Sequence, residues 1–153
     1  MSDIISIVGK DLKNLNNVLY AYENELAEYY NHLAITGKTL GQALKEQATY
    51  SALYGEKGIE LSVLLKYIDS LIKQTRSKLI RRYNENYNPA LSERMVEKYV
   101  DGEQEYIDLY SKWLEVKELC DKHELIVDAF NRRGFALRDL TTSYVNEIQG
   151  VTL

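Results

Sequence analysis

A chain of 153 residues, 45% hydrophobic and 27% charged, with eight glycines and a single proline, has the size and balance of one globular domain. It is too short for a cofactor domain beside a substrate domain, has no apolar run long enough for a membrane span, and opens without a secretory-signal pattern. The net charge of −4 excludes a uniformly basic protein, yet residues 66–82 carry six basic groups and one acidic, and residues 83–128 five basic and twelve acidic.

Thirteen tyrosines and the scarcity of proline point to long helices decorated with aromatic rings. Over residues 12–36, Leu15, Val18, Leu19, Tyr22, Leu26, Tyr29, Tyr30 and Leu33 recur at steps of three and four, the spacing of one helix face, and Gly37 suits a C-terminal cap. A second helical stretch runs from Leu40 to Leu53, after which Gly55 and Gly58 predict a turn or frayed joint. From Ile59 the period returns through Leu61, Leu64, Ile68 and Leu79 to Tyr83, and the asparagine-rich run into Pro89 predicts a loop near residues 85–91. Ser92 suits the N-cap of a short helix ending at Val100, and Asp101-Gly102 supplies a turn.

The last helix is expected from near Glu103 to about residue 148, roughly 65 Å at 1.5 Å per residue. Leu109, Val116, His123, Phe130, Leu137 and Tyr144 recur every seven residues, with Trp113, Leu119, Ile126, Val127 and Leu140 three or four places on. Such a seam needs a partner helix. A rod of that length exceeds what a small domain can cover from within, so Trp113, Ile126, Val127, Phe130, Leu137, Leu140 and Tyr144 are expected to meet other copies of the chain. The fold class is therefore all-α: long antiparallel helices in a small bundle or coiled coil. One helical domain spans residues 1–153, with a basic helix and turn at 66–88 and a long oligomerisation helix at 103–149.

Catalytic signatures are weak. Thr36-Gly37-Lys38-Thr39 looks like the end of a phosphate-binding loop, but the position five before Gly37 is His32, where that loop needs glycine. Glu28 and His32 lie four apart on one helix face, without the further Glu-x-x-His pairs of a di-iron bundle. His123 occupies a heptad position, where a core or interface histidine is commoner than a general base. A single cysteine, Cys120, supplies neither an internal disulfide nor a cysteine-based zinc site. A non-enzymatic protein without cofactors is expected.

One constellation carries more. On a helical wheel Lys66, Lys73, Arg76, Lys78 and Arg81 occupy the side opposite the apolar residues of their helix, while Arg82 lands on the apolar side at its end. Such a stripe beside Tyr83 and Tyr87 fits a polyphosphate partner, with nearby rings able to stack the bases of a single strand. The same stripe also fits an ordinary solvated face, or one paired with the acidic segment after residue 92.

Arg76-Ser77-Lys78-Leu79 followed by Arg82-Tyr83-Asn84, then Leu91 through Tyr99, and finally Asn131-Arg132-Arg133-Gly134-Phe135-Ala136-Leu137, resemble in order the landmarks of UvsY-type recombination mediators of tailed phages. The resemblance covers roughly residues 66–150. The segment between the first helix and the basic step is about twenty residues longer than the family's spacing, and position 84 is Asn where a small residue often stands. The resemblance implies a ring-like homo-oligomer in the host-cell cytoplasm. Such a protein binds single-stranded DNA, displaces a single-strand-binding protein and promotes loading of a RecA-type recombinase. Arg76 and Lys78 would be the DNA-contacting pair, and the helix around Phe130, Phe135, Leu137 and Leu140 the oligomerisation region. The competing expectation is a helical adaptor or assembly chaperone acting only through protein contacts.

Overall fold

A computed structural model describes Val8, residues 12–86 and residues 91–150, the last three without side chains. Its described elements are all helical: α1 Asn14–Ala27, α2 Tyr29–Leu33, α3 Leu40–Asn86, α4 Glu93–Asp101 and α5 Gln104–Gly150. Helices α3 and α5 have 47 residues each, about 70 Å of rod. They run antiparallel, since Ala43 meets Arg133, Tyr54 meets His123 and Tyr83 meets Glu103.

The heptad of α5 explains this pairing. Leu109, Val116, His123, Phe130 and Leu137 are all buried, as are Leu119, Ile126 and Arg133 on the adjoining row. Leu61, Leu64 and Ile68 of α3, with Leu15, Leu19 and Tyr22 of α1, close around Val116 and Leu119. Tyr54 of α3 closes over Ile126 and Phe130, and α4 lays Val96 and Val100 against Leu79. Each such side chain contributes about 1.5–3 kcal/mol on burial.

The partner that the seam requires is thus largely α3 of the same chain, and Ile126, Phe130 and Leu137 are covered inside the protomer. Sequence length misleads here because α3 is itself one unbroken rod. The joint expected at Gly55 and Gly58 is absent, and both glycines are helical. Their cost of about 1 kcal/mol each is outweighed by the buried residues on either side, Tyr54 and Leu61. Only past Leu137 does α5 outrun the start of α3: residues 138–147 are exposed except for half-buried Thr141.

The N-terminal segment also departs from expectation. The helix expected over 12–36 breaks at Glu28 and ends at Leu33, beyond which Ala34 is extended. Gly37 is no helix cap but a turn residue at φ 79°, a value that favours glycine. Thr39 then starts α3 with a capping box. Its hydroxyl accepts from the Gln42 N–H at 3.3 Å, while its own N–H donates to Gln42 Oε1 at 3.1 Å. Residues 87–90 of the expected loop lie outside the described residues.

Arg133 joins three elements from inside. Its Nε donates to the Leu33 carbonyl at 3.1 Å, ending α2, and Nη1 donates to Ala43 O at 3.2 Å and to Gln47 Oε1 at 2.7 Å. Gln47 in turn donates to the Phe130 carbonyl at 2.7 Å. Gly134 makes room for this, because a Cβ there would sit 3.1 Å from Gln47 Nε2.

Candidate nucleic-acid interface

The packing face of α3 carries Leu61, Leu64, Ile68, Thr75 and Leu79, and this fixes where the cations go. Lys66, Lys73, Lys78 and Arg81 are exposed on the side away from that core. Lys66 and Arg81 are about 22 Å apart along the helix axis. Among the described residues Lys73 pairs only with Asp69 of its own helix, at 2.6 Å, and its side chain is 75% exposed. Among the described residues no ion pair is made by Lys66, Lys78 or Arg81.

The other predicted residues are tied into the fold. Arg76 is half-buried and reaches Glu97 of α4 at 3.5 Å. Arg82, at the end of the apolar side on the wheel, is exposed and donates to Glu103 Oε1 at 2.5 Å. Tyr83 is half-buried and its hydroxyl donates to the same carboxylate oxygen. These two donors hold the Glu103 carboxyl below the usual range, and the carboxylate raises Arg82 in return. The Arg82 guanidinium lies 5.6 Å over the Tyr83 ring, which stacks on Tyr99 at 5.5 Å. The seven predicted residues therefore separate into an open row of four cations and a tied set of Arg76, Arg82 and Tyr83.

The chain matches no known protein family, no curated protein and no solved structure.

The residues expected to join copies of the chain also separate. Ile126, Phe130 and Leu137 are buried, Trp113 and Val127 half-buried, and Phe135, Leu140 and Tyr144 exposed. Arg138 covers one face of Phe135, with its guanidinium 5.2 Å from the ring centre. His32 stacks on Tyr50 at 4.1 Å and lies 3.0 Å from the Tyr54 hydroxyl. No group of three or more His, Cys, Asp or Glu residues is placed to hold a metal ion among the described residues. Nor is any described helix long and apolar enough to cross a membrane.

The pairing of the stripe with the acidic segment after residue 92, which the sequence left open, is made by Arg76 and Arg82, whose carboxylates Glu97 and Glu103 each lie 21 residues further on. A row of rings on α5, Tyr106, Tyr110 and Trp113, each neighbouring pair within 9° of parallel, escaped sequence reasoning. Its signal was present in the three- and four-residue steps between these aromatics.

Proposed function

We propose that this chain is a non-enzymatic protein that binds single-stranded DNA along α3. The carrying observation is the exposed row Lys66, Lys73, Lys78 and Arg81 on the non-packing side of one continuous helix. Cations spaced along a rod neutralise successive phosphates and release their counterions, which suits an extended strand. Four such contacts bind weakly alone. Repetition of the row in a ring-like homo-oligomer multiplies effective concentration and holds a strand on one path. Phe135, Leu140 and Tyr144, left uncovered by α3, are the side chains available for such self-association. The role of a recombination mediator follows from the UvsY-type resemblance. In that role the chain, a phage protein in the host cytoplasm, loosens a single-strand-binding protein and helps a RecA-type recombinase load.

The test is titration of a fluorescent oligo-dT with wild type and a Lys66→Ala, Lys73→Ala, Lys78→Ala, Arg81→Ala variant over a salt series. Loss of four contacts flattens the dependence of log affinity on log salt by about 3, at roughly 0.7 per phosphate for single strands. Unchanged affinity and slope overturn the assignment of the site. A second reading, the adaptor or assembly chaperone, is favoured by the exposed apolar end of α5, where Leu140, Tyr144 and Val145 stand open. A wild-type chain without affinity for oligo-dT at low salt favours that reading.

A further inference from the structure

Beyond the cationic row, α4 and the first turns of α5 carry an aromatic surface that the protein's own core does not use up. Tyr106 and Tyr110 stack with centroids 6.3 Å apart, and Tyr110 and Trp113 follow at 5.8 Å, each pair within 9° of parallel. Tyr110 is 45% exposed at the centre of the row, and Tyr99 is exposed to the same degree on α4. Tyr106 and Tyr83 pack against one cluster, Leu79, Val96 and Val100, so the row begins where the Tyr83–Tyr99 stack and Arg82 lie.

Charge is segregated around these rings. At 100° per residue Tyr106, Tyr110, Trp113 and Lys117 fall within about 60° of arc on α5. Glu105, Asp108 and Glu115 lie about 80° or more from that arc, lining the groove that α5 forms with Leu12, Lys13 and Asn16. Glu103, the carboxylate nearest the start of the row, is occupied by Arg82 and Tyr83. The carboxylates level with the rings, Glu105, Asp108 and Glu115, thus lie off the ring side, where Tyr110 stands exposed, and one turn beyond Trp113 the Lys117 ammonium is paired with Asp121. Ring faces of this kind take up nucleobases without reading their sequence.

We infer that Tyr106, Tyr110 and Trp113 form a base-stacking platform for single-stranded nucleic acid, with Tyr110 the central contact. This rests on the proposal that the chain binds a single strand, and it gives the bases of that strand a seat on α5. The platform makes binding depend on bases as well as on charge. Trp113 is the only tryptophan, so its emission reports the site directly.

The experiment compares dT20 with an abasic strand of equal length, followed by Trp113 fluorescence and by anisotropy of labelled strands, for wild type, Tyr110→Ala and Tyr110→Phe. Wild type is expected to prefer dT20 and to show quenching of Trp113 by dT20 alone. Tyr110→Ala loses affinity for dT20 by roughly fivefold or more, the lower limit for one stacked base, with abasic binding unchanged. Tyr110→Phe retains the preference. Circular dichroism checks that the helices persist, which the exposure of Tyr110 favours. Equal binding of dT20 and the abasic strand, or dT20 binding that Tyr110→Ala leaves intact, overturns the platform while the cationic row stands. Failure of wild type to bind either strand overturns both.

Discussion

The α3–α5 hairpin puts its arginines to opposite uses at its two ends. Near the start of α3, Arg133 is 5% exposed and gives its donors to the carbonyls of Leu33 and Ala43 and to Gln47. Near the end of α3, Arg81 is exposed and Arg82 leans on a surface carboxylate. Both ends contain an Arg-Arg pair in the sequence, Arg81-Arg82 and Arg132-Arg133. What separates them is heptad position: Arg133 falls on the row of Leu119 and Ile126 and is carried inside, where the Leu33 and Ala43 carbonyls and the Gln47 amide take its hydrogen bonds and the Glu46 carboxylate lies 3.8 Å from Nη2. A basic pair is thus structural or available according to its place on the helix face.

Substitutions at the buried end are expected to have the largest effect. Phe130, with no exposed surface, meets Tyr50 and Tyr54 at ring distances of 6.0 and 5.0 Å. Phe130→Ala should cost about 3–5 kcal/mol in denaturant unfolding. Arg133→Met should cost about 3 kcal/mol, because it strips hydrogen bonds from the Leu33 and Ala43 carbonyls at a helix junction and takes the donor from Gln47 Oε1. If Arg133→Met unfolds like wild type, the contrast between the two ends fails. At the open end Arg82→Ala removes an exposed pair and should leave denaturant unfolding close to that of wild type.

Acid should sharpen the same division. His123 is fully buried beside the rings of Tyr22 and Tyr54, and neither ring nitrogen has a hydrogen-bond partner among the described residues. Burial, reinforced by the Lys57 charge, lowers its pKa below the ordinary 6.5. The unfolded chain therefore binds this proton first, so stability declines as pH falls below about 6.5 and levels off below the folded-state value. His123→Leu should lose that component. The difference between wild-type and variant melting temperatures, followed from pH 7.5 to 5, checks it, and a constant difference would contradict it.

The smallest effect concerns glycine. Gly58 sits inside α3 with nothing within 4 Å of a built Cβ, so Gly58→Ala should stabilise by about 0.5–1 kcal/mol. Gly134→Ala should gain less or lose, since its Cβ would press on Gln47. Equal gains at both sites would show that the close approach of Gln47 carries no weight.

Much of the fold was legible as periodicity. The heptad from Leu109 to Leu137 reads directly as a buried seam, and the wheel of α3 separates Leu61, Leu64 and Ile68 from Lys66 and Lys73. Which helix fills the seam was not legible, because a heptad specifies the shape of its partner and not whose chain supplies it. Tyr144 repeats the same position and stays exposed, since α3 begins only at Leu40, opposite the last turns before it. Thr39-Leu40-Gly41-Gln42 carries a capping signal that the adjoining phosphate-loop look-alike, Thr36-Gly37-Lys38-Thr39, overshadows. Within the candidate site the exposed lysines followed from local spacing. The capture of Arg76 and Arg82 depended on where α4 and the start of α5 come to rest against α3.

The bond from Arg133 to the carbonyl of Leu33 spans 100 residues of chain. At ribosomal rates of about 5–20 residues per second, α2 emerges roughly 5–20 s before the guanidinium that completes its end has been synthesised. Until then the early helices have neither their lock nor the second rod to lie on, so maturation of this fold waits on the synthesis of α5.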